Sequence, residues 1–297
     1  MKLITKVIPE PTEVYKPSNP FKAKVIENKR LTPVESEEDI RHIVFDLSGS
    51  GISYLEGQSL GIQVPGVDEH GKKNRIRLYS IASSRKGDDG LSSTVSLCVK
   101  RVMYKDDQGV LQKGLTSNYV CDLMPSDAVY ITGPAGRKLL LPADNSVHLI
   151  MLAVGTGIAP FRAFIQHIYR EKGSWGGKVR LFFGAKTGLE SIYMNQENND
   201  IGQYYTQETF LAFQALSREE KTKDGNKFYV QNRLEENEKE IWEIIKEGHF
   251  CFYICGLKGL ESGAEEVLDK WAKKDGLNWN TMKAEFVEQG RWNIEVY

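Results

Sequence analysis

Cysteine is scarce in this sequence and poorly spaced for cross-linking or metal binding. Cys98, Cys121, Cys251 and Cys255 are the only four, no CxxC pair occurs, and the five histidines are scattered. That spacing argues against a disulfide scaffold and a zinc site, no metal is expected, and a reduced intracellular setting fits best. An excess of one charge is also missing. Lys and Arg number 39 against 40 Asp and Glu, for a net charge of −1. The global basic field of a non-specific nucleic-acid binder is therefore absent, and nucleic acid is not expected as a partner. Long apolar runs are lacking too. The longest uncharged stretch, Asn145–Phe161, is interrupted by glycine and short for a bilayer, so it reads as buried core and no membrane span is expected. The start, Met1-Lys2-Leu3-Ile4-Thr5-Lys6, lacks the apolar run of a signal peptide, and the glutamates that follow argue against a transit peptide. There is no internal repeat. The one biased segment, the mildly acidic 235–240, reads as a solvated helix start whose acids complement the helix dipole.

What is present is ordinary globular composition, 40% hydrophobic and 27% charged over 297 residues, a length that suggests two domains. Prolines at 9, 11, 17 and 20 predict an extended N-terminal arm over residues 1–20, because each fixes φ and biases the residue before it away from helix. From 21 to 142 the apolar signal comes in short runs separated by turn residues, among them RHIVFDLSGSG, RIRLYSIASS, STVSLCVKRV and DAVYITGPAG. This rhythm predicts a closed antiparallel β-barrel. After residue 142 the pattern changes to apolar strands alternating with helical runs: His148–Val154, a glycine turn, helical Phe161–Arg170, and a second strand at Val179–Gly184. Lys227–Gln231, helical Glu235–Lys246, strand Phe250–Cys255 and helical Glu261–Lys274 follow. Residues 143–297 therefore read as a doubly wound parallel-sheet α/β domain.

Several segments carry chemistry. Gly155-Thr156-Gly157-Ile158-Ala159-Pro160 stands between a strand and a helix, where exposed amides and the positive dipole end attract phosphate; alone, without a third glycine, it is a weak signal and more often a tight strand–helix turn. An NAD site places Asp or Glu at the tip of the second strand, yet Gly184-Ala185-Lys186-Thr187 stands there. Ser217-Arg218 and Lys227-Phe228-Tyr229-Val230-Gln231 supply cations suited to a 2′-phosphate and an aromatic face for adenine, or else form a solvated polar turn with a tyrosine in an edge strand. The missing acid favours NADP. In the first domain, Arg77-Leu78-Tyr79-Ser80 alternates so that Arg77 and Tyr79 share a face and Ser80 lies opposite. Cys98-Val99-Lys100 with Tyr104, and Leu115-Thr116-Ser117-Asn118-Tyr119, repeat the mixture of cation, hydroxyl and aromatic.

Together RLYSIASS, TVSLCVKR with Tyr104, GPAGRKLLLP, AVGTGIAPFRAF, ALSRE, KFYVQ, YICGLKG and the terminal EVY resemble one family over about residues 15–297. It is the plant-type ferredoxin–NADP(+) reductases, FAD flavoproteins of plastids, cyanobacteria and some other bacteria. The resemblance implies an FAD-binding barrel domain over 21–142 and an NADP-binding domain over 143–297. The arm leaves no room for the FMN domain of a diflavin reductase.

The roles that follow are implied by the resemblance. Arg77, Leu78, Tyr79 and Ser80 would bind FAD, with Tyr79 against the isoalloxazine, Arg77 on the pyrophosphate and Ser80 facing the hydride-accepting nitrogen. Cys98, Val99, Lys100, Tyr104, Leu115, Thr116 and Ser117 would line the rest of the FAD site, with Tyr119 a candidate adenine stack. Thr156 would sit where the two cofactors meet. NADP would be held by Ser80, Lys100, Thr156, Gly157, Ala185, Lys186, Ser217, Arg218, Lys227, Tyr229, Gln231, Gly256, Leu257 and Glu295. Tyr297 would cover the flavin until nicotinamide displaces it, Cys255 would stand near the reacting carbon, and Glu295 offers a proton route. Ser80, Cys255, Glu295 and Tyr297 form the catalytic set, and the other three cysteines read as packing residues.

An iron–sulfur partner needs a docking surface. Between Lys72 and Arg101 eight basic residues face only Asp88 and Asp89, although residues 1–142 carry a positive balance of only three. Lys72, Lys73 and Arg75 are therefore the expected docking cations for ferredoxin or flavodoxin, or part of a solvated barrel face. The sequence departs from the family at three places: Thr116 replaces a cysteine, and along the NADP pyrophosphate path Ala185-Lys186 replaces a valine-proline and Thr187-Gly188-Leu189-Glu190 replaces a serine-rich turn. Lys186 there offers an extra phosphate contact. The polar stretch Asn195–Gln207 reads as a surface loop. The expectation is hydride transfer between NADP(H) and FAD coupled to one-electron exchange with ferredoxin or flavodoxin, by a monomer in a bacterial cytoplasm or plastid stroma. An NADH-linked flavin reductase serving an oxygenase is the alternative.

Overall fold

A computed structural model describes residues 3–8 and 12–297. Met1, Lys2 and residues 9–11, parts of the expected arm, lie outside the described residues. The chain divides into two compact units, one of residues 9–137 and one of residues 1–8 with 138–297.

The first unit is built on a six-stranded antiparallel sheet of β1 (Phe21–Arg30), β2 (Ile40–Asp46), β3 (Ser59–Gln63), β4 (Arg77–Ser80), β5 (Thr94–Lys100) and β8 (Ala128–Ala135), in the order β4-β3-β8-β1-β2-β5. A bridge between Ile81 and Leu97 and a hydrogen bond from Ala82 N to Ser96 O at 2.8 Å join the two ends, so the sheet closes into the expected barrel. Closure removes the exposed edges of an open sheet. Alternation sets the faces. In β1, Ala23 and Val25 point inward and the apolar Ile26 points out to solvent with Lys22 and Lys24, at a register shift between Val25 and Glu27. Phe45, Leu60, Ile62, Val95, Leu97, Val99, Val129 and Ile131 fill the barrel. A hairpin of β6 (Met103–Lys105) and β7 (Leu111–Lys113), followed by helix α1 (Leu115–Asp122), lies between β5 and β8. Apolar runs too short to show a period hid all three elements from the sequence.

In the second unit a parallel sheet orders β11-β10-β9-β12-β13: β9 (His148–Val154), β10 (Val179–Ala185), β11 (Phe210–Leu216), β12 (Phe250–Gly256) and β13 (Trp292–Val296). Helices α2 (Ala159–Ile165), α3 (Val230–Glu236), α4 (Glu238–Glu247), α5 (Leu260–Lys274) and α6 (Trp279–Glu288) connect the strands, and α2 continues in a wider π-type turn over 166–171. β9, β10 and β12 are nearly continuous buried runs, as strands covered on both faces must be. Phe250 and Phe252 are wholly buried in the core of this unit, each worth about 2–3 kcal/mol of transfer free energy. Residues 3–8 belong to this unit: Val7 N donates to Leu141 O at 2.9 Å, Ala143 N to Thr5 O at 2.9 Å and Ile4 N to Gln289 O at 3.0 Å. Among the described residues no helix is long and apolar enough to cross a membrane.

Three sequence expectations change here. Lys227–Gln231 is not an edge strand; Lys227 makes a single bridge with Lys221, and Val230 already begins α3. The sheet edge is instead β11, which the sequence reading passed over. The acidic segment 235–240 is more than a solvated helix start, because Glu240 receives two hydrogen bonds from the Arg180 guanidinium at 2.7 and 2.8 Å. That guanidinium holds the Glu240 carboxyl down at about 2 against the opposing cost of burial. Asn195–Gln207 is not simply a surface loop either: Asn195, Asn198, Ile201 and Tyr204 are buried. The Asn195 side chain accepts from Asn198 N at 2.8 Å and donates to Leu189 O at 3.2 Å, and Arg162, stacked 4.8 Å over the Tyr193 ring, pairs with Asp200. Asparagine and tyrosine look polar in a sequence yet bury well once their hydrogen bonds are closed internally.

Candidate active site

In the barrel unit, β4 carries the first candidates. Arg77 and Leu78 are exposed, Leu78 by 61%, while Tyr79 and Ser80 are half-buried. Tyr79 packs against the barrel core, and burial, with Cys121 adding to it, pushes its phenol up to about 12. It therefore stays a proton-bearing aromatic face at any physiological pH. The rest of that motif is scaffold. The Tyr54 hydroxyl lies 2.7 Å from Ser83 Oγ and 2.6 Å from the Ser84 carbonyl, and the buried Glu56 carboxylate grips Arg85 through backbone and guanidinium at 2.7 Å. Tyr54 and Glu56 were missed in the sequence because nothing local ties them to β4.

On β5, Val99 points into the barrel and Cys98 is buried on the opposite face, while Lys100 is exposed and paired with Glu38 at 2.6 Å. Tyr104 stands exposed on the β6–β7 hairpin, opposite Gln112. Gly114 N then donates to Val102 O at 2.9 Å and brings the chain into α1. The first turn of α1 holds Leu115, Thr116 and Ser117, with no side-chain cap and no acid. The first amides of a helix have no partner within it, so this end presents free donors and a positive dipole. The Ser117 hydroxyl is already engaged, accepting from Val102 N at 3.1 Å and donating to Gly114 O at 3.2 Å. Asn118, given no role in the sequence reading, fixes the turn by donating to Val102 O at 2.9 Å and Gly114 O at 2.8 Å. Tyr119 packs on the barrel core with its hydroxyl 3.4 Å from Ala128 O.

This unit thus offers exposed Leu78 and Tyr104, a half-buried aromatic face at Tyr79, an Arg77 guanidinium with no acidic partner among the described residues, and an uncapped helix end. That donor set fits a flat aromatic ring joined to a pyrophosphate, as in FAD. The basic excess around it is smaller than it looks in sequence. Arg85, Lys100 and Arg101 are paired with Glu56, Glu38 and Asp39, acids from elsewhere in the chain. Lys72, Lys73 and Arg75 remain exposed, and none meets an acid among the described residues.

In the second unit the strand order reverses direction between β9 and β12, and the carboxyl ends of these strands form a crevice of the kind that takes dinucleotides. Gly155–Ile158 makes a tight turn there, leading into α2. A Cβ on Gly157 would fall 2.1 Å from the Cys255 carbonyl oxygen, and one on Gly256 would fall 2.8 Å from Val154 O. The two strand ends pass so closely that only glycine fits at either crossing, which leaves their backbone open to a ligand.

Tyr297 sits over this crossing. Its amide donates to Gly256 O at 3.0 Å, and its hydroxyl is 2.6 Å from Thr156 Oγ1. Cys255, wholly buried, is paired in register with Glu295 of β13. Burial raises the Glu295 carboxyl above its ordinary value, with Lys138 pulling the other way. Leu257 is 60% exposed just beyond β12.

Along the same edge, Ser217 N donates to Ala185 O at 3.0 Å and Arg218 N to Lys186 O at 2.8 Å, so the ends of β10 and β11 bring those four residues together. Tyr229 is half-exposed at the start of α3, its amide donating to Asn232 Oδ1 at 2.8 Å, and Gln231 lies against Gly263 of α5. Glu219 and Glu220, unremarked in the sequence, shape this rim: Glu219 accepts from Gly188 N at 2.9 Å, Glu220 accepts from Leu216 N at 2.7 Å, and Glu220 pairs with Arg233. Open strand ends for a pyrophosphate, the cations Lys186 and Arg218 at the ends of β10 and β11, and a half-exposed tyrosine at the start of α3 fit a phosphorylated dinucleotide.

Comparison with known proteins agrees with both units. Residues 26–139 match the family described as "Oxidoreductase FAD-binding domain" and residues 151–266 the family described as "Oxidoreductase NAD-binding domain". The chain is 43% identical to the chloroplastic leaf isozyme 1 of ferredoxin–NADP reductase from Oryza sativa subsp. japonica, covering 96% of this chain and 79% of that protein. It is 41% identical to a ferredoxin–NADP reductase of Spirulina sp, covering 97% and 98%. Among solved structures, a ferredoxin–NADP+ reductase from Plasmodium falciparum with 2′P-AMP aligns with a TM-score of 0.73 at 24% identity over 96% of this chain and 99% of that one, a likeness of fold.

Proposed function

Since this chain belongs to the family of FAD-dependent ferredoxin–NADP reductases, we propose that it exchanges hydride between NADP(H) and FAD and single electrons with ferredoxin, using the residues above. When bound, FAD supplies the conversion between a two-electron donor and one-electron steps. Tyr79 provides the aromatic face, Arg77 and the free amides of Leu115–Ser117 neutralise the pyrophosphate, and Ser80 offers a hydroxyl on the same strand. The backbone at Thr156 and Gly157 receives the NADP pyrophosphate, and Lys186, Arg218 and Lys227 hold the 2′-phosphate with Ser217, while Tyr229 stacks on adenine. Cys255 shapes the nicotinamide pocket, and the Glu295 carboxyl, raised by burial, carries a proton at its rim. Tyr297, held by Thr156 and Gly256, is the aromatic group that nicotinamide displaces. Its removal from place costs binding energy and so holds back unproductive tight binding.

The observation that carries this reading is the convergence of Thr156, Cys255, Gly256, Glu295 and Tyr297 at one strand crossing in the second unit. Lys72, Lys73 and Arg75 steer an acidic partner, ferredoxin or flavodoxin in its place, and each step uses a single chain. None of the four cysteines forms a disulfide and all are buried, in keeping with a bacterial cytoplasm or a plastid stroma.

The test is anaerobic stopped-flow reduction of the FAD-loaded protein by NADPH and by NADH, in the wild type and in Arg218→Ala. Loss of a charged hydrogen bond worth about 1.5–3 kcal/mol should slow NADPH by about ten- to a hundredfold and leave NADH unchanged. Equal rates with the two nucleotides, unmoved by the substitution, would overturn the NADP assignment in favour of an NADH-linked reductase.

A further inference from the structure

Lys6, Cys251 and Tyr253 form a cluster in the second unit that has no part in the cofactor chemistry. Lys6 Nζ lies 3.3 Å from Cys251 Sγ and 2.9 Å from the Tyr253 hydroxyl, and 4.6 Å from the centre of the Tyr253 ring. The Tyr253 hydroxyl donates in turn to Leu140 O at 2.9 Å, and both Cys251 and Tyr253 are wholly buried. The amine is held there by backbone. Pairing of Thr5 and Val7 with Ala143 and Leu141, and of Ile4 with Gln289, fixes the segment on either side of Lys6.

Two features make this pair reactive toward each other. The Lys6 nitrogen is in direct contact with the Cys251 sulfur, and burial lowers its ammonium below the ordinary value although Cys251 pulls the other way, which favours loss of the proton that would block its nucleophilicity. No carboxylate among the described residues pairs with it. The sulfur, for its part, has no cysteine in this unit within reach. Cys255 is four residues along the same strand, about 13 Å away at roughly 3.3 Å per residue, whereas a disulfide needs Cα atoms within about 7 Å. An oxidised Cys251 therefore has an amine as its neighbour and no thiol.

We propose that Cys251 and Lys6 are a redox-modification site, at which hydrogen peroxide joins the thiol to the amine as a sulfenamide. The sulfur attacks one peroxide oxygen, so an S–O bond forms and the O–O bond breaks. Sulfur gives up two electrons, and the leaving hydroxide takes the thiol proton as water. The Lys6 nitrogen then attacks the sulfenic sulfur, an N–S bond forms and the S–O bond breaks, and hydroxide departs with an amine proton as a second water. One thiol, one amine and one peroxide give one N–S link and two waters, and the chain loses two hydrogens. An external thiol reverses the link by attacking sulfur and releasing the amine, with a second thiol freeing Cys251. The link would tie the segment containing Lys6 covalently to β12, the strand that ends at Cys255 and Gly256.

The experiment treats the FAD-loaded full chain with hydrogen peroxide and maps it by mass spectrometry without reductant, with Lys6→Arg and Cys251→Ser alongside. The wild type should yield a peptide joining Lys6 to Cys251 with a net loss of two hydrogens. Dithiothreitol should release it, and either substitution should abolish it. In Lys6→Arg, which keeps a cation but removes the nucleophilic amine, dimedone should tag Cys251 severalfold more than in the wild type, because the sulfenic acid is no longer consumed. Equal dimedone tagging with no linked peptide, a linked peptide that retains oxygen, or a Cys251 that peroxide leaves unmodified would each overturn the proposal. Should Lys6→Arg fail to fold, presence or absence of the linked peptide in the wild type decides the matter.

Discussion

The two units prepare for a dinucleotide by opposite means. The barrel unit does so with side chains and a helix end standing on its surface: Arg77, Leu78 and Tyr104 exposed, Tyr79 half-buried, and the first turn of α1 uncapped. The parallel-sheet unit does so with backbone, at a crossing where Gly157 and Gly256 bring β9 and β12 within a methyl group's width. A site made of exposed side chains can lose one member and keep its fold. A site made of strand ends in contact shares its geometry with the core, so damage to one is damage to both.

That contrast can be broken most severely at Gly157. Gly157→Ala would place a methyl carbon 2.1 Å from the Cys255 carbonyl oxygen, and nothing flexible stands there to yield. A loss of about 3 kcal/mol in urea unfolding is expected, the upper part of the overpacking range, together with loss of NADP+ binding. Unchanged stability would show that the crossing yields to a methyl group.

Next in size, Arg77→Gln should weaken FAD retention by about ten- to a hundredfold, read from the fluorescence of released flavin, while the urea midpoint of the apoprotein stays put. A matching loss of stability would erase the distinction between the units.

Glu295 sharpens the comparison through pH. Burial raises its folded carboxyl above the ordinary value of 4.5, so the folded chain binds this proton more tightly than the unfolded one. The resulting stability is fully present below the ordinary value and is lost as pH rises through the raised one. Glu295→Gln should flatten the fall in Tm over that interval and remove the corresponding limb from the pH profile of NADPH oxidation. An unchanged Tm profile would mean that the carboxyl titrates as it does in the unfolded chain.

The smallest effect is expected at the Thr156–Tyr297 hydrogen bond. Thr156→Val and Tyr297→Phe each delete the same bond, worth about 1 kcal/mol, so each should change the Kd for NADP+ severalfold and the double variant no more than either single one. Additive effects would show that the two hydroxyls act separately.

The sequence was legible where local pattern and tertiary environment agree. The buried runs of β9, β10 and β12 announce themselves because a strand covered on both faces tolerates few polar residues. The barrel was read from its short alternating runs, and the RLYS and GTGIAP segments took their flavin and phosphate roles from the family resemblance, since their residue types alone also fit a barrel strand and a tight turn. β11 escaped notice because FLAFQAL has an exposed Leu211 and partly buried residues at the sheet edge, with no clean period. α1 and the β6–β7 hairpin are too short to show one at all.

By itself, then, the sequence determined the two fold classes, the absence of a metal-binding cysteine pattern, and the motifs that mark an FAD and an NADP site. Composition and periodicity depend only on neighbours along the chain. Contacts between distant residues were decided by the tertiary structure alone. It put Tyr297 on Thr156 and Glu295 beside Cys255, paired three of the eight basic residues between Lys72 and Arg101 with Glu38, Asp39 and Glu56, and buried Tyr193, Asn195, Asn198 and Tyr204. The reason is physical: an ion pair or a buried polar group is settled by which partner folding delivers, and the partner's position along the chain carries no trace of it.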